Sequence, residues 1–316
     1  MPKSSRNQNF LYGLKTLSFD QGSAYPIWQK TSHTLKRTYS TIGWYFIVIL
    51  LTISCANTPE IVVQDLQMQI PLGENTFAEE LLKGEIAETK IEHIGYLGPV
   101  EKMRALKEGH ITMFLFVSGE GILYADTIKQ NLTPESIAIP MTDISDVRFE
   151  VPEGKELHFL QFTKKLSSQD LEDLKNFPEE NQYDLFFTRF IDTEPYTEKI
   201  KSPNTVSRTV LPADIVPRVS LGTVTAKGPD EVGAHEHPML DQLFLGLKDN
   251  DITVHADGAS TQLKAYSLLH IPIGSSHGVS VAKSKIMYYM WMDFFLTKEG
   301  QKWLKTHKPV STKNKN

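Results

Sequence analysis

The stretch GAHEHPMLDQLFLGL, Gly233–Leu247, sets His235 and His237 one residue apart, follows them with Pro238, and runs on into an apolar segment. A second stretch, HIPIGSSHGVSV, His270–Val281, brings in His277 after a Gly-containing turn. In an extended strand, residues two apart face the same side, so His235 and His237 direct both imidazoles to one place. Pro238 favours extension at His237. Gln242 opens the next strand, and His277 can reach the same place from a neighbouring one. Three imidazoles and an oxygen donor inside a barrel make a site for Fe, Mn, Ni, Co or Zn. A single histidine is more often a surface or hydrogen-bonded core residue; the combination of spacings is what points to a metal. Asp241 is a rival to Gln242 as the oxygen donor. Adjacent strand residues face opposite ways, so only one of the two can bind.

Around this core the chain reads as all-β. TKIEHIGYLG, ITMFLFVSG, ILYAD, SIAIP, VRFEV and LHFLQFT have the length and β-branched or aromatic content of strands, and Gly- and Pro-containing turns separate them. SSQDLEDLKNF, from Ser167, reads as a capped helix. A polar, Pro-containing stretch to Ser207 reads as a linker. Strands then resume with VPRVSLGTVTA, LDQLFLGL, ITVHADG, SLLHIP and KIMYYMWMDFF, and a short basic helix, TKEGQKWLKTH, closes the fold. The two halves overlay at a nearly constant interval: ILYAD on ITVHAD, FVSGEG on GLKDND, and IAIP ending at Pro140 on LHIP ending at Pro272. A fixed interval marks an internal repeat, so two copies of one sandwich or closed double-sheet barrel are expected.

The spacing of Gly233, His235, His237 and Gln242, with Pro272, Gly274 and His277, resembles the two sequence motifs of the cupin superfamily. The resemblance covers about 85–165 and 208–296 and implies a bicupin, two tandem double-stranded β-helix (jelly-roll) barrels. The chain departs from the family pattern in places. Gln242 stands where Glu is usual, which removes a negative ligand, Gly233 is too close to the HxH, and Asp249 stands where a closing Gly is usual. Gln242 keeps the spacing of five from the second histidine seen in many cupins and is favoured over Asp241. Carried through the repeat, the ligand places fall on Ala105, Lys107, Thr112 and Ser145 of the first copy. Lys107 would repel a cation, so the first barrel is expected to be a degenerate scaffold, packed on the second or completing a homodimer.

The organisation that follows is a signal segment 1–55, a tether 56–84, an N-terminal barrel 85–165, a helix and linker 166–207, a C-terminal metal-binding barrel 208–296, and a short helix and tail 297–316. GWYFIVILLTIS, Gly43–Ser54, is too short to span a bilayer but suits the apolar core of a secretory signal after Lys36 and Arg37. LTISC resembles the lipobox of bacterial lipoproteins, with Thr52 where Leu is usual, and implies lipidation of Cys55. An extracytoplasmic, lipid-anchored protein of the periplasm or outer membrane is expected. Residues 1–35 are polar and longer than a usual leader, so translation is expected to start later than Met1. With one cysteine, a disulfide within the chain is impossible, and a net charge of -5 gives no sign of nucleic-acid binding.

The second half is also similar to 5-keto-4-deoxyuronate isomerases, in which a carboxylate follows HxH and opens an aromatic strand. This implies a small sugar-derived, carbonyl-bearing substrate. Lewis-acid catalysis with a separate general base is the expected chemistry. The base candidates are Asp241, Tyr289, Asp293 and His255. Trp291 shares a strand face with Tyr289, as substrate wall or as core. His270 is read as structural. An isomerase, lyase or hydrolase, an iron dioxygenase, and a binding protein without turnover all remain open, because a fold does not fix a reaction.

Overall fold

The computed structural model describes residues 61–197 and 201–304. The expected signal segment, with Cys55, and the tail beyond 304 lie outside the described residues. No helix among the described residues is long and apolar enough to cross a membrane. The architecture is all-β, two barrels in tandem, each closed by a larger and a smaller antiparallel sheet.

In the first barrel the six-stranded sheet runs β11 (Leu185–Arg189), β8 (Ser136–Pro140), β5 (His110–Gly119), β10 (Glu156–Lys165), β3 (Thr89–Leu97), β2 (Thr76–Leu81). The four-stranded sheet opposite it runs β4 (Val100–Ala105), β9 (Asp146–Val151), β6 (Gly121–Ala125), β7 (Ile128–Leu132). The second barrel repeats this plan. Its seven-stranded sheet runs β1 (Val63–Asp65), β19 (Ser267–Ile271), β16 (Leu240–Gly246), β21 (Ile286–Phe295), β14 (Val219–Lys227), β13 (Val206–Leu211), β12 (Pro195–Tyr196). Its four-stranded sheet runs β15 (Asp230–His235), β20 (His277–Val281), β17 (Asp251–Ala256), β18 (Ala259–Lys264).

Three apolar cores explain the composition of the strands. Phe114, Phe116, Phe149 and Phe159 fill the first barrel. Val224, Phe244, Val254, Leu269 and Tyr289 fill the second. A third core lies between the two larger sheets, where Leu115, Leu160 and Phe162 share a cluster with Leu243, Met290 and Met292. The central strands of the larger sheets are therefore covered on both faces, and ITMFLFVSG and KIMYYMWMDFF read as nearly unbroken apolar runs for that reason. β7 and β18 show the opposite. IKQNL and ASTQLK alternate exposed and half-buried residues on an outer hairpin, and their polarity hid them from a reading based on apolar runs.

Two expected connectors are partly strand. The stretch 56–84 contains β1 and β2, and 166–207 contains β11, β12 and the start of β13 after the helix Ser168–Lys175. These short segments are held by main-chain pairing, which side-chain polarity does not report. β11 covers the edge of β8, with Phe187 opposite Ala138. β1 covers the edge of β19 in the other barrel, with Gln64 opposite Leu268. Capping an open edge removes a row of unpaired backbone groups. It also ties the N-terminal segment to the C-terminal barrel.

The helix is fixed at both levels. Ser167 accepts from the Asp170 N–H while Asp170 accepts from the Ser167 N–H, a capping box. The same carboxylate takes two guanidinium bonds from Arg218, at 2.8 and 2.6 Å, just before β14. Burial pushes the Asp170 carboxyl up, but the Arg218 guanidinium and the Ser167 donors outweigh it and hold it below 3.8. A depressed carboxylate contributes stability above its unfolded pKa and loses it as pH falls. Asp170→Asn is expected to cost on the order of 3 kcal/mol at neutral pH, as removal of one partner of a buried pair does. Urea unfolding at a series of pH values should show that difference shrinking as pH drops below 3.8.

Candidate metal centre

β15 carries the first histidine to the site through an irregularity in its pairing. Val232 lies opposite Val279, and His235 lies opposite His277, so Gly233 and Ala234 accommodate one extra residue on β15. In a regular ladder the partner of His277 would be Ala234, and His235 would face outward. The bulge reverses this. Gly278 makes it sterically feasible, since a Cβ there would stand 2.7 Å from the Val232 carbonyl oxygen. His237 lies beyond the end of the strand, contrary to the simple two-residue alternation, and its carbonyl accepts from the Gly274 N–H at 3.2 Å. Gly274 holds φ +76, which suits the turn that leads to His277.

The three rings converge. Centroid separations are 4.8 Å for His235–His237, 4.6 Å for His235–His277 and 5.3 Å for His237–His277. One ligating atom from each lies within 4.8 Å of the others, and among the described residues this is the group of His, Cys, Asp and Glu that meets such a criterion. Donors at about 2.1 Å from a tetrahedral ion lie about 3.4 Å apart, so the widest pair here would close by at most about 1.4 Å around such an ion.

Backbone carbonyls fix the tautomers. His235 donates its Nδ1–H to the Gly233 carbonyl at 2.8 Å, and His277 donates its Nδ1–H to the Ser275 carbonyl at 3.0 Å. In the neutral rings the lone pair is then on Nε2. The His277 Nε2 is buried with no hydrogen-bond partner. Burial, and then the facing His235, lower the His277 imidazole to about 4, so the ring is neutral at ordinary pH. These carbonyls leave no mark in the sequence.

β16 separates the two rival oxygen donors. Gln242 and Phe244 turn into the barrel, where the Phe244 ring sits 5.8 Å from His277. Asp241 turns to the opposite face, where its carboxylate lies 3.2 Å from the His270 Nε2. The other nitrogen of His270 meets Glu85 at 2.8 Å. His270 is thus a tie between β19, β16 and the segment before β3, which agrees with a structural role. Gln242 donates from Nε2 to the Asp293 carboxylate at 2.6 Å, leaving its Oε1 buried without a hydrogen-bond partner. Two orphaned buried acceptors, the His277 Nε2 and the Gln242 Oε1, on the face that carries the histidines fit a cation.

The remaining candidates divide by strand parity. Met287, Tyr289 and Trp291 pack with the second barrel's interior core, and Asp293 follows on that face. Tyr289 lies 4.9 Å from Phe244 and is only 3% exposed, so it is part of the core wall. His255 faces away, bonded to the Ser260 and Ser280 hydroxyls.

In the first barrel the hydrogen-bonded register differs from the expected repeat alignment at some of the ligand places. Phe114 lies opposite Ala138 as Phe244 lies opposite Leu269, which puts Pro140 at the place of Ile271 and not of Pro272. Val147 pairs with Ala125 as His277 pairs with Ala256, so Val147, not Ser145, holds the His277 place. β4 lacks the bulge, and Arg104, not Ala105, lies opposite Val147. Thr112 does hold the place of Gln242, opposite Thr163 as Gln242 is opposite Asp293.

No family model matches the chain, and no curated protein matches it in sequence. Solved structures do resemble it. A cupin 2 conserved barrel domain protein from Leptotrichia buccalis has a TM-score of 0.52 at 14% identity, over 75% of this chain and 98% of that one. The E. coli protein Ylba has a TM-score of 0.56 at 11% identity, over 78% and 96%. An oxalate decarboxylase from Lactobacillus farciminis, solved as a formate complex, has a TM-score of 0.54 at 11% identity, over 79% and 92%. These likenesses establish the fold as that of cupin barrels.

The Gln242–Asp293 bond yields a prediction. Asp293→Asn removes the acceptor that fixes the amide, and divalent-ion affinity should fall 10- to 100-fold, the usual cost of losing a partner that orients a ligand. Gln242→Glu combined with Asp293→Asn reverses the bond and supplies a charged ligand. Chelator competition should show it binding more tightly than either the Asp293→Asn variant or the native chain.

Proposed function

We propose that the C-terminal barrel holds one divalent ion on His235, His237, His277 and Gln242, and that the protein acts there on a small sugar-derived hydroxy-carbonyl compound. The observation that carries this reading is the convergence of three imidazoles, and the Gln242 Oε1, buried without a hydrogen-bond partner, supports it. A bound Zn, Mn, Fe or Ni ion supplies Lewis acidity, which lowers the pKa of a neighbouring C–H or of water.

The chain's own residues supply the rest. His235 and His277 are held in the required tautomer by the Gly233 and Ser275 carbonyls. Asp293 orients Gln242 and is the carboxylate placed to take a proton on that face. Phe244 and Tyr289 are buried core that keeps this side of the barrel dry, and the half-buried Trp291 beside them is the ring able to meet the flat face of a substrate. Asp241 serves the fold through His270, so we assign it no proton transfer. Isomerisation, elimination and hydrolysis all start from this arrangement of Lewis acid and carboxylate.

Elemental analysis of the purified full-length chain should find about one divalent ion per chain, lost in both His235→Ala and His277→Ala. Equal metal content in all three proteins would refute the site. With the metal-loaded chain and an unsaturated or keto-uronate probe, deuterium exchange next to the carbonyl or conversion of the probe is expected without oxygen uptake. Iron with oxygen uptake would make the protein a dioxygenase, and binding without turnover would make it a receptor.

We also propose that the chain works outside the cytoplasm, tethered through Cys55. The apolar run before LTISC supports this. Labelled palmitate should enter the membrane-bound protein in a bacterial host, and Cys55→Ser should abolish the label and release the chain from the membrane fraction.

A further inference from the structure

The first barrel has its own charged feature at its mouth. On β4, Lys102 lies opposite Phe149 and Arg104 opposite Val147, and both partners belong to the interior core of that barrel. Lys102 and Arg104 therefore share the inward face. Arg104 is half-buried, and neutral groups hold it in place. Its Nε–H donates to the Gln161 Oε1 at 2.7 Å, and an Nη1–H donates to the Tyr96 hydroxyl at 3.2 Å. Gln161 is oriented in turn by its own donation to the Thr163 hydroxyl at 3.2 Å.

A guanidinium carries five N–H donors, and these two bonds use two of them. Among the described residues Arg104 has no carboxylate partner. The acid near this group, Glu92, is already tied to Lys90 at 2.8 Å. The Tyr96 oxygen accepts from Arg104, so its own proton stays available to an acceptor. Burial raises the Tyr96 pKa, which keeps that proton on the ring. Among the described residues the three remaining guanidinium N–H groups and the phenol O–H have no acceptor, and the Tyr96 ring rests on Phe149 and Phe159, at 5.9 and 5.5 Å. A half-buried cation without a counter-charge is costly unless something supplies one.

We propose that the N-terminal barrel binds a small carboxylate, its two oxygens on the Arg104 guanidinium with Tyr96 donating to one of them. The planar fork of arginine matches a carboxylate in two parallel hydrogen bonds, and the aromatic floor suits a short apolar body behind it. Lys102, exposed at the rim, adds attraction. This site rests on residues distinct from those of the C-terminal barrel and needs no metal.

Calorimetric titration of the chelator-treated full-length chain tests it, with acetate and propionate as probes, inorganic phosphate as comparison, and chloride at equal ionic strength as blank. We expect saturable, one-to-one heat with acetate below about 50 mM, the range open to so small a ligand. Arg104→Gln should weaken it at least about tenfold, the loss of a charge-assisted bond. Tyr96→Phe, which keeps the buried ring, should weaken it less, and His277→Ala should leave it unchanged. No saturable heat, or an isotherm untouched by Arg104→Gln and Tyr96→Phe, would overturn the proposal. Loss of binding in His277→Ala would move the anion to the other barrel, and tighter binding of phosphate would overturn the carboxylate assignment. If Arg104→Gln does not fold, Tyr96→Phe and Lys102→Gln read the same site.

Discussion

A single extra residue in β15 decides what each barrel can do. Side chains alternate across a strand, so an insertion of one residue turns everything after it to the other face. In the second barrel the insertion at Gly233 and Ala234 brings His235 inward, opposite His277. In the first barrel β4 pairs with β9 without interruption, and the inward residue opposite Val147 is Arg104. Neutral nitrogen donors and a fixed cation thus occupy matching register positions in two copies of one frame.

The frame keeps these positions because the barrels are not independent. The apolar layer between the larger sheets joins Leu160 and Phe162 to Met290 and Met292. β1 precedes the first barrel in the chain but completes a sheet of the second, and Gln64 on it donates to Glu79 of β2 at 3.0 Å. Arg218 binds Asp170 on the connecting helix and approaches Glu88 at 3.5 Å. Each tie crosses from one repeat to the other or to the helix between them. A strand such as β16, locked between β19 and β21, can then hold Gln242 in place on one face while Asp241 and His270 lock the opposite face.

Much of this was legible in the sequence, and the reasons for the rest are physical. The HxH and the histidine after the PxG mark the three rings that the structure gathers within 4.8 Å of one another, because metal chemistry favours those side chains whatever the strand details. The strands with both faces covered are legible because burial requires apolar residues throughout. Parity allowed only one of Asp241 and Gln242 to face the site, the family spacing favoured Gln242, and Gln242 is the one that faces the barrel interior. Illegible were the features made by backbone. The bulge, the carbonyls of Gly233 and Ser275, and the edge strands β1 and β11 arise from main-chain groups that every residue carries. The repeat itself is legible, but the similar tetrapeptides around Pro140 and Pro272 are one residue off the register that hydrogen bonding sets.

The two barrel mouths differ in the charge they lack. The histidine cluster, with the Gln242 amide oxygen and the Asp293 carboxylate on the same barrel face, is a donor set that suits a cation. The arginine cluster presents N–H and O–H donors with its one nearby carboxylate already spent on Lys90, and is completed by an anion. Duplication leaves a second copy of the frame without the constraint to ligate. A half-buried arginine on two neutral acceptors sits where a valine or leucine would pack at lower cost. That uncompensated charge distinguishes a binding mouth from a filled scaffold.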